Sequence, residues 1–289
     1  MRIFIVNRVS GNGRGRKVWA EVQRILDGRQ IPYRVKFTER RGHATEIARC
    51  AARADVEAVV AVGGDGTLHE VGNGLVGTET PMGYIPAGSG NDFALAQSIP
   101  SDPNQALERI LKHRIHRVDT ADIDGRVMIG FSGIGFDAKV AETVNRSPLK
   151  RWLGKSIYFF GAIQVLAGFR PTRVSLQVDG QCYKYEGVWL IAVTNTPYYG
   201  GGMNICPQAV NDDGFLDVCC VKEVTHMQFL SVLPAVYHGG HVNHPGVRMH
   251  RGKRITIQSD TPLVAHADGE NLGNTPLSIQ IRPKSLSLL

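Results

Sequence analysis

The sequence lacks the long apolar run and the leader segment that would place the chain in or across a membrane. A helix that spans a bilayer needs about 20 apolar residues, and the longest candidate run, residues 157–169, is interrupted by Gln164. Residues 1–7 are too few, and become polar too soon, for a secretory signal peptide. These absences predict a mature cytoplasmic protein.

Cysteine is scarce, with five residues among 289, and no two of them form a Cys-x-x-Cys pair. An odd number of cysteines in a chain of this length disfavours both a disulfide framework and a zinc site. Free cysteine is among the most frequently buried residue types. We therefore expect buried, reduced thiols.

Positive charge is in excess but is not concentrated. The formal net charge is +7, and no Lys/Arg block is long enough to serve as a nucleic-acid-binding arm. We expect no nucleic-acid partner. A mildly basic protein instead favours phosphate groups or peripheral contact with an anionic membrane surface.

The pattern of apolar residues and turn residues changes near residue 115. Residues 1–115 alternate short apolar strands with helical periodicity in the order β-α-β-α-β, which predicts a parallel sheet covered by helices. Residues 116–289 place Asp-Gly turns between apolar runs, which predicts antiparallel hairpins. We predict an α/β nucleotide-binding domain over 1–115 and a mainly antiparallel β-sandwich domain over 116–289, and we leave open a return of the last residues to the first domain.

A glycine-rich turn, Gly63-Gly64-Asp65-Gly66-Thr67, follows an apolar strand and precedes an apolar helical run. Its glycines let the backbone approach a ligand closely, and the start of the next helix favours an anion. An aspartate suits such a turn when a metal ion accompanies the phosphate. A tight turn in which Asp65 only caps the helix is the alternative.

Three further segments combine glycine with polar side chains. A basic turn, residues 10–17, follows the first strand, and residues 86–93 surround Ser89 with glycines. Residues 267–271 carry two carboxylates, Asp268 and Glu270, at a strand end. A carboxylate near a hydroxyl substrate can act as a general base, although Asp-Gly is also common in simple β-turns.

In this order, the four segments resemble the diacylglycerol kinase catalytic family, which includes bacterial lipid kinases, sphingosine kinases and ceramide kinases. The resemblance runs from residue 3 to about residue 282. It implies an ATP- and Mg²⁺-dependent kinase that phosphorylates the hydroxyl of a lipid alcohol. NAD kinases share the first turn, so a kinase for a soluble hydroxyl compound is one alternative, and a non-catalytic nucleotide- or lipid-binding regulator is another.

The resemblance also implies roles for the matching residues in catalysis and in nucleotide binding. Glu270 is implied to be the base that deprotonates the acceptor hydroxyl, with Asp268 as its partner and Asp65 at the centre of the phosphate turn. The residues implied to contact ATP are Asn7, Thr38, Gly63, Gly64, Asp65, Gly66, Thr67, Leu68, His69 and Ser89.

Two magnesium-binding regions are implied by the same resemblance. Asp92 and Asp119 are implied to support the catalytic Mg²⁺ network. Residues 210–215 resemble a structural Mg²⁺ loop, with a carboxylate from Asp213 and backbone carbonyls from Val210 and Phe215. Oxygen ligands suit Mg²⁺, and a plain Asp-Asp-Gly turn is the alternative.

An apolar segment with flanking cations bears on the acceptor. Its composition suits a helix at a membrane interface or along an acyl chain, and a buried helix is the alternative. The segment contains Trp152, Leu153, Ile157, Tyr158, Phe159, Phe160, Ile163, Val165, Leu166 and Phe169, flanked by Lys150, Arg151, Lys155 and Arg170.

Two features carry less information. A homodimer is left open by the sequence. The histidines between His238 and His250 lack a fixed ligand spacing and are expected to be solvated loop side chains.

Overall fold

The computed structural model describes residues 1–54, 56–146 and 156–289. The chain forms two units, the first made of Met1–Thr120 with Arg282–Leu289 and the second of Ala121–Ile281. The last residues of the chain thus belong to the first unit. The predicted domains, 1–115 and 116–289, stay a prediction about which parts fold independently.

The first unit alternates strands and helices, as the sequence predicted. Its elements are β1 (Arg2–Val6), α1 (Ser10–Gly28), β2 (Tyr33–Phe37), α2 (His43–Ala52), β3 (Ala58–Gly63), α3 (Asp65–Leu75), β4 (Met82–Pro86), α4 (Asp92–Ala96), α5 (Pro103–Leu111) and the beginning of β5 (His116–Ile123).

Strands of the first unit pair in the order β2-β1-β3-β4, and every pairing among them is parallel. β3 is buried along its whole length, as expected for a parallel strand that helices cover on both faces. Phe4, Val60 and Ile85 form part of a core with α1 and α5. Because all four strands run in one direction, the turns that follow them meet at a single edge of the sheet.

The second unit is built mainly from antiparallel strands. Its elements are the end of β5, β6 (Arg126–Met128), β7 (Phe131–Gly135), α6 (Phe136–Arg146), α7 (Ser156–Gly168), β8 (Thr172–Val178), β9 (Gln181–Thr194), β10 (Tyr198–Tyr199), β11 (Met203–Asn204), β12 (Leu216–Lys222), α8 (His226–Val236), a 3₁₀ turn (Gly240–Asn243), β13 (Val247–Gly252), β14 (Arg254–Ser259), β15 (Val264–Ala267), β16 (Glu270–Asn274) and β17 (Leu277–Leu288), whose end enters the first unit.

The long strand β9 joins two layers of the second unit. Its first half pairs with β8, and its second half lies between β7 and β12. Buried side chains such as Leu176, Ile191 and Ile257 fill one core cluster with residues from both layers. This arrangement confirms the predicted fold class, an α/β nucleotide-binding-type unit combined with a mainly antiparallel β-sandwich.

Helices and aromatic rings cover the outer side of β9. Trp189 stacks on Phe229 of α8 at 4.8 Å between ring centroids, and its indole N–H donates to the carbonyl of Val224. Lys150, Arg151, Trp152, Leu153 and Lys155, at the start of the apolar segment, lie outside the described residues. Val165 and Leu166 of α7 are buried in this cluster, which favours the buried-helix alternative for that part. In the described part of the chain, no helix combines the length and apolarity needed to cross a membrane.

The expectation for the histidine-containing stretch is corrected in part. Nearby, residues 197–207 contain the short hairpin of β10 and β11, in which Tyr198 pairs with Asn204. His241 is buried, and its Nε2 lies 2.9 Å from the carbonyl oxygen of Ile205. A histidine in a loop-like stretch of sequence can thus be buried when a backbone carbonyl provides a hydrogen-bond partner.

The expectation that the cysteine thiols are buried is confirmed for three of the five and wrong for two. Cys206, Cys219 and Cys220 are buried in the second unit, whereas Cys50 and Cys182 are exposed. Cys50 lies on α2, whose buried positions are Ala44, Ala48 and Ala51, so its side chain falls on the solvent face. Burial raises the pKa of Cys206 and of Cys220 to about 12.

We predict that only the two exposed thiols, Cys50 and Cys182, react readily with dithiobis(nitrobenzoate) near pH 8. The buried thiols are shielded from the reagent and hold their protons, and only the thiolate attacks a disulfide. Absorbance should report two equivalents in the native protein and five after denaturation. Cys50→Ser should leave one native equivalent, and a uniform reaction of all five would contradict the packing of the second unit.

Candidate functional site

A cleft of about 530 Å³ opens where the turns after β1, β2, β3 and β4 meet. This is the edge of a parallel sheet at which ligands commonly bind. The cleft lies wholly in the first unit. Its lining residues are Asn7, Val9, Ser10, Gly11, Thr38, Glu39, Arg40, Arg41, Ala44, Gly64, Gly66, Thr67, Glu70, Gly88 and Ser89.

The floor of the cleft is a contact between two glycine turns. A Cβ on Gly64 would lie 3.0 Å from the Cα of Gly88, and a Cβ on Gly88 would overlap the Cα of Gly64. Only glycine at both positions allows the two backbones to pass this closely. α3 begins directly after Gly64, so the positive end of its dipole faces the cleft and favours an anion.

Asp65 uses its carboxylate to hold the second turn. Its Oδ2 accepts a hydrogen bond from the N–H of Asn91 at 2.7 Å, and its Oδ1 accepts one from the N–H of Phe93 at 3.3 Å. Burial raises the pKa of Asp65 to about 6, and the negative charge of Asp92 adds to the shift. The carboxylate therefore braces the start of α4, a role that sequence reasoning missed.

Asp65 and Asp92 face the same space. A Cβ on Gly90 would lie 3.0 Å from Oδ2 of Asp65 and 3.4 Å from Oδ2 of Asp92. The charge of Asp92 raises the pKa of Asp65, and a bound cation would relieve the repulsion between the two carboxylates. The donor types therefore fit a divalent ion that a phosphate ligand brings with it.

The remaining nucleotide-contact candidates divide between the cleft and the interior. The amide of Asn7 donates to the hydroxyl of Thr67 at 3.1 Å, and Thr38 and Ser89 also line the cleft. Leu68 and His69 are instead buried. The ring Nε2 of His69 lies 2.9 Å from the amide nitrogen of Asn73 on the same helix.

The basic turn after β1 packs against the second glycine turn. Gly11 has a φ of 55°, and a Cβ there would overlap the carbonyl oxygen of Ala87. Gly11, Asn12 and Gly13 are non-helical residues within the span of α1. The predicted glycine-rich turn is therefore real, and it forms one side of the cleft.

Glu70 is a cleft residue that sequence reasoning did not single out. Its carboxylate accepts hydrogen bonds from the N–H groups of Gly42 at 2.9 Å and Ala44 at 3.1 Å, at the start of α2. Gly42 precedes α2 and provides no side-chain cap. The sequence signal for this role is Gly42, because a glycine before a helix provides no capping side chain of its own.

The Asp268-Gly269 turn of the second unit joins β15 to β16. Asp268 and Gly269 have φ values of 47° and 84°, the conformations of a tight two-residue hairpin. The carboxylate of Asp268 accepts hydrogen bonds from the N–H groups of Ile129, Gly130 and Phe131 at 2.7, 3.0 and 3.0 Å. Asp268 thus fixes the loop before β7, while Glu270 begins β16 as a half-buried side chain.

A largely buried polar cluster lies beside this hairpin. Nε2 of His266 and Oδ2 of Asp137 are 3.8 Å apart, and the ring of Phe131 packs edge-on against His266. Burial lowers the pKa of His266, although the nearby Asp137 and Asp268 oppose the shift. Burial raises the pKa of Asp137 and of Tyr199 in the same cluster.

The other magnesium candidates have backbone or cationic partners. Oδ1 of Asp119 is buried and accepts a hydrogen bond from the N–H of Lys284 at 2.7 Å. Asp213 accepts a hydrogen bond from the N–H of Phe215 at 3.0 Å and forms an ion pair with Arg251. Val210 has an exposed side chain. Within the described ranges, no three acidic, histidine or cysteine side chains gather in a metal-binding group, so the structural Mg²⁺ loop stays a prediction.

Family models match both parts of the chain. The model described as the diacylglycerol kinase catalytic domain matches residues 2–123. The model described as the YegS C-terminal NAD kinase beta sandwich-like domain matches residues 130–289. Together these matches cover the chain except for its residues 1 and 124–129.

Individual proteins are similar over nearly the whole length. "Putative lipid kinase YtlR" of Bacillus subtilis (strain 168) is 30% identical, with coverage of 99% of this chain and 98% of that protein. A protein named diacylglycerol kinase from the same organism is 29% identical, with coverage of 94% and 90%. The crystal structure of "a putative diacylglycerol kinase" from Bacillus anthracis str. Sterne has a TM-score of 0.85 at 27% identity, with coverage of 99% and 94%.

We expect Asp268→Asn to lower the free energy of unfolding by about 1–3 kcal/mol. The amide has only one acceptor oxygen, so at least one of the buried N–H groups of residues 129–131 loses its partner. Urea denaturation followed by circular dichroism measures the change. Asp260→Asn, at an exposed position, is the matched control and should stay within about 0.5 kcal/mol of wild type.

The lowered pKa of His266 predicts a loss of stability in mild acid. As the pH falls through about 6.5, the unfolded chain protonates this histidine while the folded chain does not, so the unfolded state is favoured. The loss approaches ~1.4 kcal/mol per pH unit while the difference in protonation persists. His266→Gln should show a smaller decrease in unfolding free energy between about pH 7.5 and pH 5.5.

Asp137 does not account for the expected loss of stability in mild acid. Its raised pKa has the opposite sign, because a folded-state carboxyl that binds its proton more tightly gains stability as the pH falls. His238→Gln replaces an exposed histidine and should follow the wild-type curve. A His266→Gln curve parallel to wild type would show that this buried ring does not carry the acid sensitivity.

Proposed function

This chain belongs to the diacylglycerol kinase catalytic family, as its motifs indicated, and on that premise we propose that it transfers the γ-phosphate of ATP to the hydroxyl of a diacylglycerol-like lipid alcohol. The observation that carries the proposal is the cleft in the first unit. There, two glycine turns meet at the N-terminus of α3, in a chain whose relatives are named as kinases.

The cleft supports ATP as the phosphate donor. Backbone N–H groups at a helix N-terminus stabilise phosphate oxygens, and the glycines Gly64, Gly66 and Gly88 leave room for close approach. Asp65 and Asp92 would hold the Mg²⁺ that accompanies ATP. When bound there, the ion neutralises phosphate charge. Asn7 and Thr67 support the same floor through their mutual hydrogen bond.

Glu270 is proposed as the general base. It takes the proton of the acceptor hydroxyl while the acceptor oxygen forms a bond to the γ-phosphorus and the bridging bond to the β-phosphate breaks, so that ADP leaves. The hairpin supports this role because it fixes the backbone next to Glu270, and Asp268 anchors that hairpin with three hydrogen bonds. Asp268 is therefore proposed as a positioning partner of Glu270.

The lipid acceptor is supported by the relatives and by charge. The printed names of similar proteins are lipid kinase and diacylglycerol kinase, and a net charge of +7 favours an anionic lipid surface. The proposal accordingly places the enzyme in the cytoplasm with peripheral membrane contact and a role in phospholipid metabolism. A soluble acceptor such as NAD is the second candidate, because the matched second-unit model is described as NAD kinase beta sandwich-like.

Phosphate transfer from labelled Mg-ATP should be measured with diacylglycerol and other lipid alcohols in mixed micelles, and with soluble acceptors alongside. We expect transfer to the lipid, and we expect Glu270→Gln to lower kcat by about 10²–10⁴-fold, the usual contribution of a general base. Glu223→Gln, which alters an exposed partner of Lys222 in the same unit, is the control and should retain wild-type kcat.

The outcomes separate the proposals. Transfer to a soluble acceptor alone would replace the lipid assignment with the second candidate. Equal kcat values for wild type and Glu270→Gln would remove Glu270 from catalysis. Tight ATP binding without transfer to any acceptor would favour a non-catalytic regulator.

A further inference from the structure

The N-terminus of α2 lies on the cleft, but the N–H groups of Gly42 and Ala44 there are already hydrogen-bonded. Ala44, in the first turn of α2, lines the cleft, as do Arg40 and Arg41 just before it. The N–H groups of Gly42 and Ala44 donate to the two carboxylate oxygens of Glu70. A negative charge at this position also complements the dipole of α2.

Glu70 stands on the helix that begins at the phosphate turn. α3 spans Asp65–Leu75, so Glu70 lies about one and a half turns beyond the first residue of that helix. A second contact reinforces the link, because the hydroxyl of Thr45 donates to the carbonyl oxygen of Glu70 at 2.8 Å. The helix that begins at the floor of the cleft therefore also holds residues 38–44, which form a wall of the cleft.

Close packing of α2 on α3 makes this link short. A Cβ on Gly74 would lie 2.6 Å from the Cβ of Ala48 and 2.8 Å from the carbonyl oxygen of Thr45. The absence of a side chain at Gly74 lets the two helices approach. The reach of the glutamate side chain from α3 to the start of α2 depends on that approach.

A carboxylate in a cleft for ATP needs an explanation, since it repels phosphate. The two N–H donors offset part of the charge of Glu70, and each occupies one acceptor site on a different carboxylate oxygen. They also cease to compete for the triphosphate, which is left with the N-terminus of α3.

We propose that Glu70 is a positioning residue for ATP: it occupies the N-terminus of α2, holds the wall of residues 38–44 against α3, and thereby sets the place of the nucleoside while the triphosphate binds at the phosphate turn. This inference rests on the proposed use of ATP. Glu70 itself does not touch the reacting atoms in this scheme.

The test compares ATP with inorganic tripolyphosphate, which has the phosphates but no nucleoside. Glu70→Gln replaces one acceptor oxygen with an NH₂ group that faces an N–H donor, so one hydrogen bond to the wall is lost. We expect KM for ATP to rise about tenfold, consistent with loss of one charge-assisted hydrogen bond. The kcat should stay within about threefold of wild type and the inhibition constant of tripolyphosphate within about twofold.

Two further variants provide a second test of the contact and a control. Thr45→Val removes the second contact with Glu70 and leaves the cleft charge intact, so it should raise KM for ATP in the same direction by a smaller factor. Glu108→Gln alters an ion pair with Arg29 elsewhere in the first unit and should leave KM unchanged. Thermal unfolding of each variant establishes that it is folded.

An unchanged KM for Glu70→Gln would overturn the inference. Equal weakening of ATP and tripolyphosphate would also overturn it, since that result indicates general damage to the cleft. A loss in kcat with KM intact would assign Glu70 to another role. If the wild-type protein neither binds nor uses ATP, the proposed function fails and this inference fails with it. If the wild type is active but Glu70→Gln leaves KM for ATP unchanged, only this inference fails.

Discussion

The backbone contact between Gly64 and Gly88 is the constraint on which the cleft depends. The turns after β3 and β4 can share one floor only because neither residue at the crossing has a side chain. That crossing puts Asp65 within reach of the N–H groups of Asn91 and Phe93. A larger residue at either glycine would separate the turns and remove both the anion-binding floor and the brace that supports it.

Carboxylates in this protein repeatedly organise backbone. Asp65 holds the start of α4, Glu70 the start of α2, and Asp268 the loop before β7. Each accepts N–H groups that would otherwise lack partners at a helix start or loop, where the regular hydrogen-bond ladder is absent. The candidate catalytic residues therefore stand beside, or are identical with, residues that fix local geometry, and catalytic and structural roles must be separated by kinetics and stability measured together.

Much of the fold was predictable because its signals are local. The apolar strand Ala58–Gly63 and the glycine turn after it are read from adjacent residues, and so is the Asp268-Gly269 hairpin. The family resemblance extended these local signals to the whole chain. The burial of Leu68 and His69 was not predictable in the same way, because the side of α3 that faces the sheet depends on neighbours from distant segments.

The sequence by itself determined the order of elements, the two glycine turns, the family and the list of candidate carboxylates, since residue spacing and residue type encode all of these. Tertiary structure alone decided which backbone groups those carboxylates bind, and it added Glu70 to them. Asp65 and Asn91 are 26 residues apart, Glu70 and Gly42 are 28 apart, and Asp268 and Ile129 are 139 apart. No periodicity or motif specifies such pairs, because they form only when folding brings separate turns to the same place.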